Sequence, residues 1–514
     1  MTKKSISRLL QASLMCCLAV LFTACDDIFA SEDNPTPAYL SMSDKPVTLK
    51  VGDTYRRKAI SVTTAVVEYT SSDTNVATVN GEGLVTAIAK GKATITATAT
   101  GYSTDGKKIF LPDSKSYVVT VAKTVTSITL NETKLIKKFG DAAVTLTATM
   151  DPDDATDKTV AWTSSNESVA TVTDGVVNFK AVGTATITAT ATNGTEDTAD
   201  DRTATCNVVV ASSDLSTLTA AYTAHDGDVL TGETDYAISI PDGATVYLAD
   251  ATINNTVECK GDATIVLIKE TESKISATYT AIKAGPANTT LTLSGEGTLN
   301  ATSSYGYCAC IGSHYQEAAG NIVIKGGIIN ATAANFAAAI GAGCAGSCQD
   351  ITIQGGMVTA RAVAFGAGIG TGDNKYGPTA CRDITITGGI VKAYGGVGGA
   401  GIGAGAAQTY TNAVTCGDIT ITGGTVNAYG GQYAAGIGTG VKNKSSCPSP
   451  TCGKITISGG TITATKGAGG VWDIGPGVYS PKPGTNDGVV NGMISVTVTV
   501  KDENGNDASI YVAP

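Results

Sequence analysis

The second half of the chain repeats one short motif, in which apolar and polar residues alternate and two glycines follow. Five copies keep this order: Ile322–Gly327, Ile351–Gly356, Ile384–Gly389, Ile419–Gly424 and Ile455–Gly460. A weaker copy, Leu291–Gly295, precedes them. A second alternating segment and then a third segment follow each copy, and the third contains Ile311, Ile340, Ile369, Ile402, Ile437 or Ile474, at spacings of 29 to 37 residues. A fixed pattern with variable insertions predicts a solenoid.

Three short strands per turn would stack equivalent residues of neighbouring turns inside this solenoid. The predicted inner columns are Val358, Val391 and Val426, and beside them Ala360, Ala393 and Ala428. The glycine pairs fall at the corner between the first and second strands, where glycine adopts a positive φ without strain. The differences in length are expected in loops after the third strand, such as 371–380 and 441–451.

This layout resembles the right-handed parallel β-helix, and in particular the glycine-rich coils of bacterial surface proteins. The resemblance covers about residues 236–490, and we assign the whole β-helix to residues 212–490. Residues 491–514 contain two apolar segments around Asn504-Gly505, which favours a hairpin with a tight turn. Because solenoids need capped ends, this hairpin is predicted to cover the end of the coil.

The first half of the chain contains two copies of a different pattern. Residues 67–100 and 160–191 carry the same segments in the same order, including Val76-Ala-Thr-Val79 in the first copy and Val169-Ala-Thr-Val172 in the second. In both copies apolar and polar residues alternate, which predicts strands with one buried and one solvated face.

The repeated pattern resembles the bacterial Ig-like domain of group 2. The resemblance implies two β-sandwiches, residues 38–122 and 123–211, which serve as spacer or adhesion modules. Tyr69 and Trp162 stand at equivalent positions and are predicted to pack in the cores, because aromatic side chains contribute much of core burial. The predicted fold class is therefore all-β: two Ig-like β-sandwiches followed by a parallel β-helix.

A short positively charged start and an apolar run from Leu14 to Phe22 open the chain. The run is too short to span a bilayer, which takes about 20 apolar residues, but it is typical of a signal peptide. Phe22-Thr-Ala-Cys25 resembles the lipobox of bacterial lipoproteins. The resemblance implies a signal peptide over 1–24, a lipidated tether over 25–37 and a membrane anchor on Cys25. The predicted location is the outer membrane, with the protein exposed at the cell surface.

The charge of the chain argues against one class of partner. The formal net charge is −10 and Lys and Arg form no cluster, so nucleic acid is not expected as a partner. The histidines, His225 and His314, lie far apart and near no nucleophile pattern, so neither is predicted to be catalytic. No catalytic residue and no cofactor are predicted.

One row of carboxylates requires an enzyme hypothesis to be considered, because many β-helices cleave acidic polysaccharides with Ca²⁺ and a basic residue. Asp350, Asp383 and Asp418 stand in one register just before the first strand, and Arg361 and Arg382 lie nearby in sequence. These three aspartates are the candidate ligands for a Ca²⁺ ion. The preferred interpretation is structural, because a turn residue whose side chain caps backbone groups can be Asp or Asn.

Tyrosines provide the predicted ligand-binding residues. Tyr394 and Tyr429 end the second strands of consecutive turns, Arg361 takes that place one turn earlier, and Lys392 and Asn427 lie two residues before the tyrosines. Aromatic rings beside polar donors suit sugar rings; the alternative is a surface ladder that only stabilises the stacking of turns. Further tyrosines occur in or near loops: Tyr305, Tyr307, Tyr315, Tyr376, Tyr410 and Tyr433.

These observations predict a surface lipoprotein whose β-helix binds a polysaccharide or a glycan on a host or neighbouring cell, without catalysis. The runner-up is a Ca²⁺-dependent polysaccharide lyase or glycosidase on the β-helix. The third hypothesis is a purely structural surface rod.

Four cysteines are expected to form a column along the coil. Cys348, Cys381, Cys416 and Cys452 each lie seven residues before the first glycine of a pair. Adjacent turns are about 4.8 Å apart, which is within the Cα range of a disulfide. The predicted bonds are therefore Cys348–Cys381 and Cys416–Cys452. The alternative is a Cys381–Cys416 bond flanked by the local bonds Cys344–Cys348 and Cys447–Cys452.

Replacing Cys25 by Ser should abolish lipidation and release or mislocalise the protein, because acyl chains on that sulfur supply the anchor. Cys16 and Cys17 lie in the predicted signal peptide and should be dispensable. Mass spectrometry and membrane fractionation measure both effects. A Cys25→Ser protein that still carries acyl chains would contradict the lipobox assignment.

Overall fold

The computed structural model describes residues 36–61, 64–103, 110–193, 198–409, 411–444, 446–478, 488–491 and 493–512. Regular structure in these residues is almost entirely β, and the helices are two short 3₁₀ turns, Thr198–Asp200 and Leu215–Thr217. Across these ranges, no helix is long and apolar enough to cross a membrane. Cys25, the predicted signal peptide and most of the tether lie outside the described residues. The all-β prediction is confirmed.

The first Ig-like domain is a sandwich of two sheets. One sheet has the order Val47–Lys50, Asp113–Ala122, Gly91–Ser103, Ala65–Ser71, and the other has the order Thr54–Arg56, Leu84–Ala87, Ala77–Val79. Two short pairs accompany them, Thr36–Pro37 with Phe110–Leu111 and Leu40–Ser41 with Ile60–Ser61. Ile95 and Tyr117 from one sheet and Val85 from the other are buried in a common core.

The second Ig-like domain repeats this arrangement. Its sheets have the orders Lys134–Lys138, Arg202–Ala211, Gly183–Ala191, Val160–Ser164 and Val144–Thr145, Val176–Phe179, Ala170–Thr173, with an additional pair of Ser127–Leu130 and Ala148–Asp151. Tyr69 and Trp162 pack against the cores of their domains, as predicted. The Tyr69 hydroxyl also accepts a hydrogen bond from the Ala59 N–H at 2.6 Å, so its polar end is satisfied.

Beyond the Ig-like domains the chain winds into a coil of parallel strands. The less regular early turns contain Ser213–Asp214, Tyr222–Thr223, Val229–Thr234, Ile238–Ile240, Ala244–Ile253, Val257–Cys259, Ala263–Leu267, Glu272–Ala277 and Ile282–Lys283. In the regular turns the first strands are Thr290–Gly295, Asn321–Ile324, Ile351–Ile353, Ile384–Ile386, Ile419–Ile421 and Ile455–Ile457. The second strands are Thr298–Ser303, Ile328–Ala333, Met357–Ala362, Ile390–Tyr394, Thr425–Tyr429 and Thr461–Thr465, and they share one large sheet with the first strands.

The third strands form a separate sheet. They contain only two residues each: Ile311–Gly312, Ile340–Gly341, Ile369–Gly370, Ile402–Gly403, Ile437–Gly438 and Ile474–Gly475. Equivalent isoleucines pair from turn to turn in register, as the sequence spacing predicted.

The later turns contain a fourth short strand, so the prediction of three strands per turn is incomplete. These strands are Ser347–Cys348, Thr379–Cys381, Val414–Cys416, Thr451–Cys452 and Val489–Val490, which form a sheet of their own. They lie after the third strands, where the connections of variable length were expected. The longer connections therefore include an additional side of the coil.

The predicted cysteine column is present, but the predicted disulfides are not. Cys348, Cys381, Cys416 and Cys452 are paired in register. All ten cysteines of the described residues are buried free thiols, so neither set of proposed bonds is formed. The Sγ atoms of Cys348 and Cys381 are 3.1 Å apart, whereas a disulfide requires about 2.05 Å. Parallel pairing in register directs neighbouring side chains the same way, so the two sulfurs lie side by side.

The predicted valine and alanine columns form the inside of the coil. Val358, Val391 and Val426 pair in register, as do the three alanines two residues further on, and all six side chains are fully buried. These residues belong to one apolar core that extends from Leu215 to Val500. Burying each large aliphatic side chain stabilises the fold by about 1.5–3 kcal/mol.

Close stacking of turns explains the glycine pairs. The second glycine of each pair has a positive φ, which is +85° at Gly424. A Cβ at Gly424 would lie 2.7 Å from the carbonyl oxygen of Gly389 in the previous turn, and one at Gly423 would lie 2.4 Å from that of Thr387. The corner therefore requires glycine both for its backbone conformation and for the contact with the turn before it.

The C-terminal segment is an additional turn rather than the predicted capping hairpin over 491–514. Ile494–Val496 and Val500–Lys501 pair in parallel with the first and second strands of the preceding turn, and Ile510 bridges Ile474 in parallel. An antiparallel bridge joins Lys501 and Asp507 around the Asn504-Gly505 turn. The first apolar segment of the predicted hairpin thus continues the register of the coil, while the turn at Asn504-Gly505 is closed by the antiparallel bridge. Within the described residues the coil thus extends beyond the predicted boundary at 490.

The second Ig-like domain packs directly on the start of the coil. Val209 and Ala211 share a small apolar cluster with Val229, Ala249 and Ile268. Polar contacts surround this cluster: Lys134 and Asp250 form an ion pair with an N–O distance of 2.5 Å, and the Asn207 amide donates to Glu270 at 2.6 Å. A joint with an apolar centre and polar surroundings holds the coil in a defined orientation on this domain.

Replacing Gly424 by Ala should destabilise the coil by about 1–3 kcal/mol, because a non-glycine residue would be forced to a positive φ and against the Gly389 carbonyl. Thr422→Ala, which changes an exposed residue of the same corner, is the matched control and should have little effect. Thermal unfolding followed by circular dichroism compares the two. Equal melting temperatures would contradict the stacking explanation.

Candidate ligand-binding site

The predicted tyrosine ladder exists. Tyr394 and Tyr429 pair in register and stack with ring centroids 4.9 Å apart and planes within 9°. The Arg361 guanidinium carbon lies 4.1 Å from the Tyr394 ring centroid. Tyr394 is therefore covered on one face by Arg361 and on the other by Tyr429. Both tyrosine side chains are half-buried, whereas free ring faces would be needed to stack on sugars.

The polar residues beside the ladder have the predicted register. Lys392 and Asn427 pair with each other across neighbouring turns, and Thr359 precedes them in the same column. Lys392 is exposed and Asn427 is half-buried. These side chains occupy the same outward face as the tyrosines, two residues away along each strand.

The row of aspartates caps backbone groups. The Asp350 carboxylate accepts the Asp383 N–H at 3.2 Å, Asp383 accepts the Asp418 N–H at 2.8 Å, and Asp418 accepts the Lys454 N–H at 2.8 Å. Asn321 serves the same purpose for Asp350 one turn earlier, at 3.2 Å. One oxygen of each aspartate thus ties its turn to the next. Among the described residues, no group of three His, Cys, Asp or Glu side chains is placed to hold a metal ion.

The largest group of aromatic side chains lies elsewhere on the coil. We call it the aromatic patch: Tyr279, Tyr305, Tyr307, Tyr315, Phe336 and Tyr376. Tyr307 is at its centre, with ring centroids of Tyr305, Tyr315, Phe336 and Tyr376 at 5.2, 5.5, 5.0 and 5.2 Å. Tyr279, Tyr305 and Tyr376 are 48%, 40% and 47% exposed. Three rings at the rim of the patch are therefore open to solvent.

Loops on both sides of the third strands bring the patch together. Tyr307 and Phe336 precede third strands, whereas Tyr315 and Tyr376 follow them. Tyr307, Phe336 and Phe365 each lie four residues before a third-strand isoleucine, so stacking of the turns makes their rings nearly parallel, with 8° between neighbouring planes.

The sequence indicated only part of this group. Tyr305, Tyr307, Tyr315 and Tyr376 stood out as loop tyrosines, and the structure unites them; Tyr433 packs in a different cluster and Tyr410 lies outside the described residues. Tyr279, Phe336 and His314, which lies 5.2 Å from the Tyr279 ring, were not identified. The shared spacing of Tyr307, Phe336 and Phe365 was the available signal.

A buried carboxylate holds one loop of the patch. The Asp373 side chain is fully buried, and one of its oxygens accepts the Lys375 N–H at 3.2 Å. The Asp373 N–H in turn donates to the Phe336 carbonyl at 2.9 Å. Within the part of the chain that the structure describes, the other carboxylate oxygen has no hydrogen-bond partner, and the Cys344 thiol lies near the carboxylate. Burial raises the pKa of Asp373 to about 6.

Family comparisons agree with this geometry. Residues 39–109 and 124–201 match the bacterial Ig-like domain (group 2), and residues 351–373, 384–406, 419–441 and 455–477 match the beta helix repeat. The chain carries two group 2 bacterial Ig-like domains and a β-helix. Each matched β-helix repeat begins at a first strand, contains one glycine pair and ends just beyond a third strand.

Curated relatives are similar over short segments. An uncharacterized protein of Clostridium acetobutylicum is 36% identical over 146 residues, which is 28% of this chain and 14% of that protein. An alpha-L-arabinofuranosidase of Bifidobacterium longum subsp. longum is 44% identical over 87 residues, 17% of this chain and 8% of the enzyme. The chain therefore spans less than a sixth of the length of either relative.

Solved structures are similar to about a third of the chain. Domains 1–6 of the surface layer protein SbsC are 21% identical, cover 31% of this chain and 22% of their own, and give a TM-score of 0.16. A C-terminal fragment of intimin, in complex with the intimin-binding domain of its translocated receptor, is 18% identical, covers 30% and 57%, and gives a TM-score of 0.19.

Asp373 should make the β-helix less stable as the pH rises. Its pKa in the folded protein is about 6, above the ordinary value of 3.8, so the folded state binds the proton more tightly than the unfolded state. The resulting stability is present below pH 4 and is lost as the pH rises through 6. Asp373→Asn should flatten the decline in melting temperature between about pH 4 and 7, the window that the two pKa values set.

Asp383→Asn is the matched control for this measurement, because it removes an exposed carboxylate and keeps a capping oxygen. It should leave the decline unchanged. If the melting temperature of the wild type falls no more steeply with pH than that of Asp373→Asn, then Asp373 is not the group responsible for the decline.

Proposed function

We propose that this protein is a surface-displayed binding protein whose β-helix binds glycan through the aromatic patch. The observation that carries the proposal is a connected group of six rings, each within contact distance of at least one other, three of which are 40–48% exposed. Exposed apolar groups on a stable surface mark interaction sites, and aromatic residues dominate binding energy at such sites. The apolar faces of sugar rings suit the tyrosine faces, and sugar hydroxyls suit their phenol groups.

The exposure of the rings favours the patch over the tyrosine ladder. Tyr394 has a neighbour over each face, so a sugar would have to displace Arg361 or Tyr429 to stack on it. Tyr279, Tyr305 and Tyr376 make mainly edge-to-face or tilted contacts within the patch, which leave ring surface open. The ladder, with Lys392 and Asn427 beside it, is accordingly proposed to stabilise the stacking of turns.

Binding is a better explanation of the side chains than catalysis. General acid–base chemistry needs a titratable group within hydrogen-bond reach of the substrate. Asp373 has a raised pKa but is fully buried, and the aspartate row uses its oxygens to cap the next turn. Among the described residues, the carboxylates considered for the lyase or glycosidase hypothesis are thus either buried or used to cap backbone groups.

The arrangement of domains supports display at a surface. Two Ig-like domains separate the N-terminal segment from the coil, and the packed joint around Lys134 and Asp250 fixes the direction of the coil. With lipid on Cys25, this order would place the patch away from the outer membrane, toward a polysaccharide or the glycans of a host or neighbouring cell. Group 2 Ig-like domains as spacers fit this role.

Full-length protein purified in detergent should bind glycans on an array and should leave polysaccharides uncut, with or without Ca²⁺. The double variant Tyr305→Ala with Tyr376→Ala should weaken binding roughly thirty-fold, because each exposed ring contributes about 1 kcal/mol. Its melting temperature should change little, since both side chains are exposed. Affinity gels and calorimetry measure the binding.

Two further variants sharpen this experiment. Tyr236→Ala changes a tyrosine that is 40% exposed at the start of the coil and should leave binding intact. Tyr394→Ala with Tyr429→Ala compares the ladder with the patch. Loss of binding in the ladder variant alone would move the site to the ladder, no binding to any glycan would favour the structural rod, and release of unsaturated sugars would favour the lyase.

A further inference from the structure

The aromatic patch contains one cationic side chain, Lys375. Its ammonium nitrogen lies 4.4 Å from the ring centroid of Phe336, 5.3 Å from that of Tyr376 and 5.7 Å from that of Tyr307. A cation at these distances over ring faces is attracted by the ring quadrupole. The rings therefore hold a positive charge in the middle of the patch.

The backbone fixes this lysine in place. The Lys375 N–H donates to Asp373 at 3.2 Å, and the Asp373 N–H donates to the Phe336 carbonyl at 2.9 Å. The loop after the third strand Ile369–Gly370 is thus tied to the turn that carries Phe336. The backbone of Lys375 is therefore held by the stacking of the coil, and its side chain places the ammonium group over the rings.

Lys375 differs from two other lysines of the coil, Lys283 and Lys466, in its partners. Lys283 pairs with Glu258 and Glu317 at 3.2 and 2.7 Å, and Lys466 pairs with Asp473 at 3.3 Å. Within the part of the chain that the structure describes, Lys375 has no carboxylate within ion-pair distance. Burial is the largest single influence and lowers its pKa, but the Tyr376 and Tyr307 hydroxyls together raise the pKa above 10.5 on balance, so the group stays charged.

We propose that the aromatic patch selects acidic sugars, with the carboxylate or sulfate of the sugar bound by the Lys375 ammonium. This inference rests on the proposed function. The sugar ring would lie on an exposed tyrosine face while its anionic group approaches the open side of the ammonium. An ion pair with hydrogen bonds is stronger than the neutral contacts that an uncharged sugar could make. The lysine would therefore distinguish acidic from neutral sugars, and the aromatic rings would bind the sugar ring.

The test uses the full-length protein and two matched pairs of probes. Polygalacturonate is compared with its methyl ester, and dextran sulfate with dextran, so that carboxylate and sulfate are tested separately. The acidic member of at least one pair should bind about tenfold more tightly than the neutral member, and added salt should reduce this difference. Lys375→Met should remove the preference and retain the weaker neutral binding. Lys325→Met, an exposed lysine outside the patch, is the control and should keep the preference.

The outcomes separate this inference from the proposed function. Equal binding of acidic and neutral probes through Tyr305 and Tyr376 would overturn the acidic preference and leave glycan binding in place. A preference that survives in Lys375→Met would assign it to another residue and overturn the inference. Tighter binding of chitosan than of polygalacturonate by wild type would show that the patch prefers cations, which also overturns it. Failure of every glycan to bind wild type would overturn both proposals.

Discussion

The structure depends on hydrogen bonding between parallel turns that carry the same residue at the same place. Each turn buries little apolar surface alone, and the columns of Ile, Val and Ala become a core only when neighbouring turns cover them. The same register governs other side chains, both buried and exposed. The aspartate row, the cysteine column and the Tyr394–Tyr429 stack are all consequences of one repeat spacing.

Register also explains how much could be read from the sequence. The inner columns, the third-strand isoleucines and the contact between Tyr394 and Tyr429 follow from counting residues, because stacking converts spacing into proximity. The Ig-like domains were predictable because two copies share their segments. The sequence also predicts that Asp350, Asp383 and Asp418 cap backbone groups, and the hydrogen bonds that these carboxylates accept agree with this.

The remaining features depend on the directions of side chains and loops, which the spacing of residues in the sequence does not specify. Two-residue strands such as Ser347–Cys348 are too short to show alternation, so the fourth side of the coil was not predicted. The register predicts that Tyr394 lies beside Tyr429, but it does not predict that Arg361 covers the other face of the Tyr394 ring. The aromatic patch combines loops from several turns, before and after the third strand. Lys375 directly precedes Tyr376, but its place over the Phe336 ring depends on the backbone bonds of Asp373, which no pattern in the sequence indicates.

The position of the patch along the coil has a mechanical consequence. Its residues lie between 279 and 376, on turns that are nearer to the joint with the second Ig-like domain than to the C-terminal end. A ligand held there, and pulled while the N-terminal segment is anchored, would put tension only on the turns between the patch and the joint. The layers of hydrogen bonds between these turns lie in series, so each layer would bear the whole of a force along the axis. The turns from Ile384 onward would carry no load, and their number could change without altering the strength of attachment.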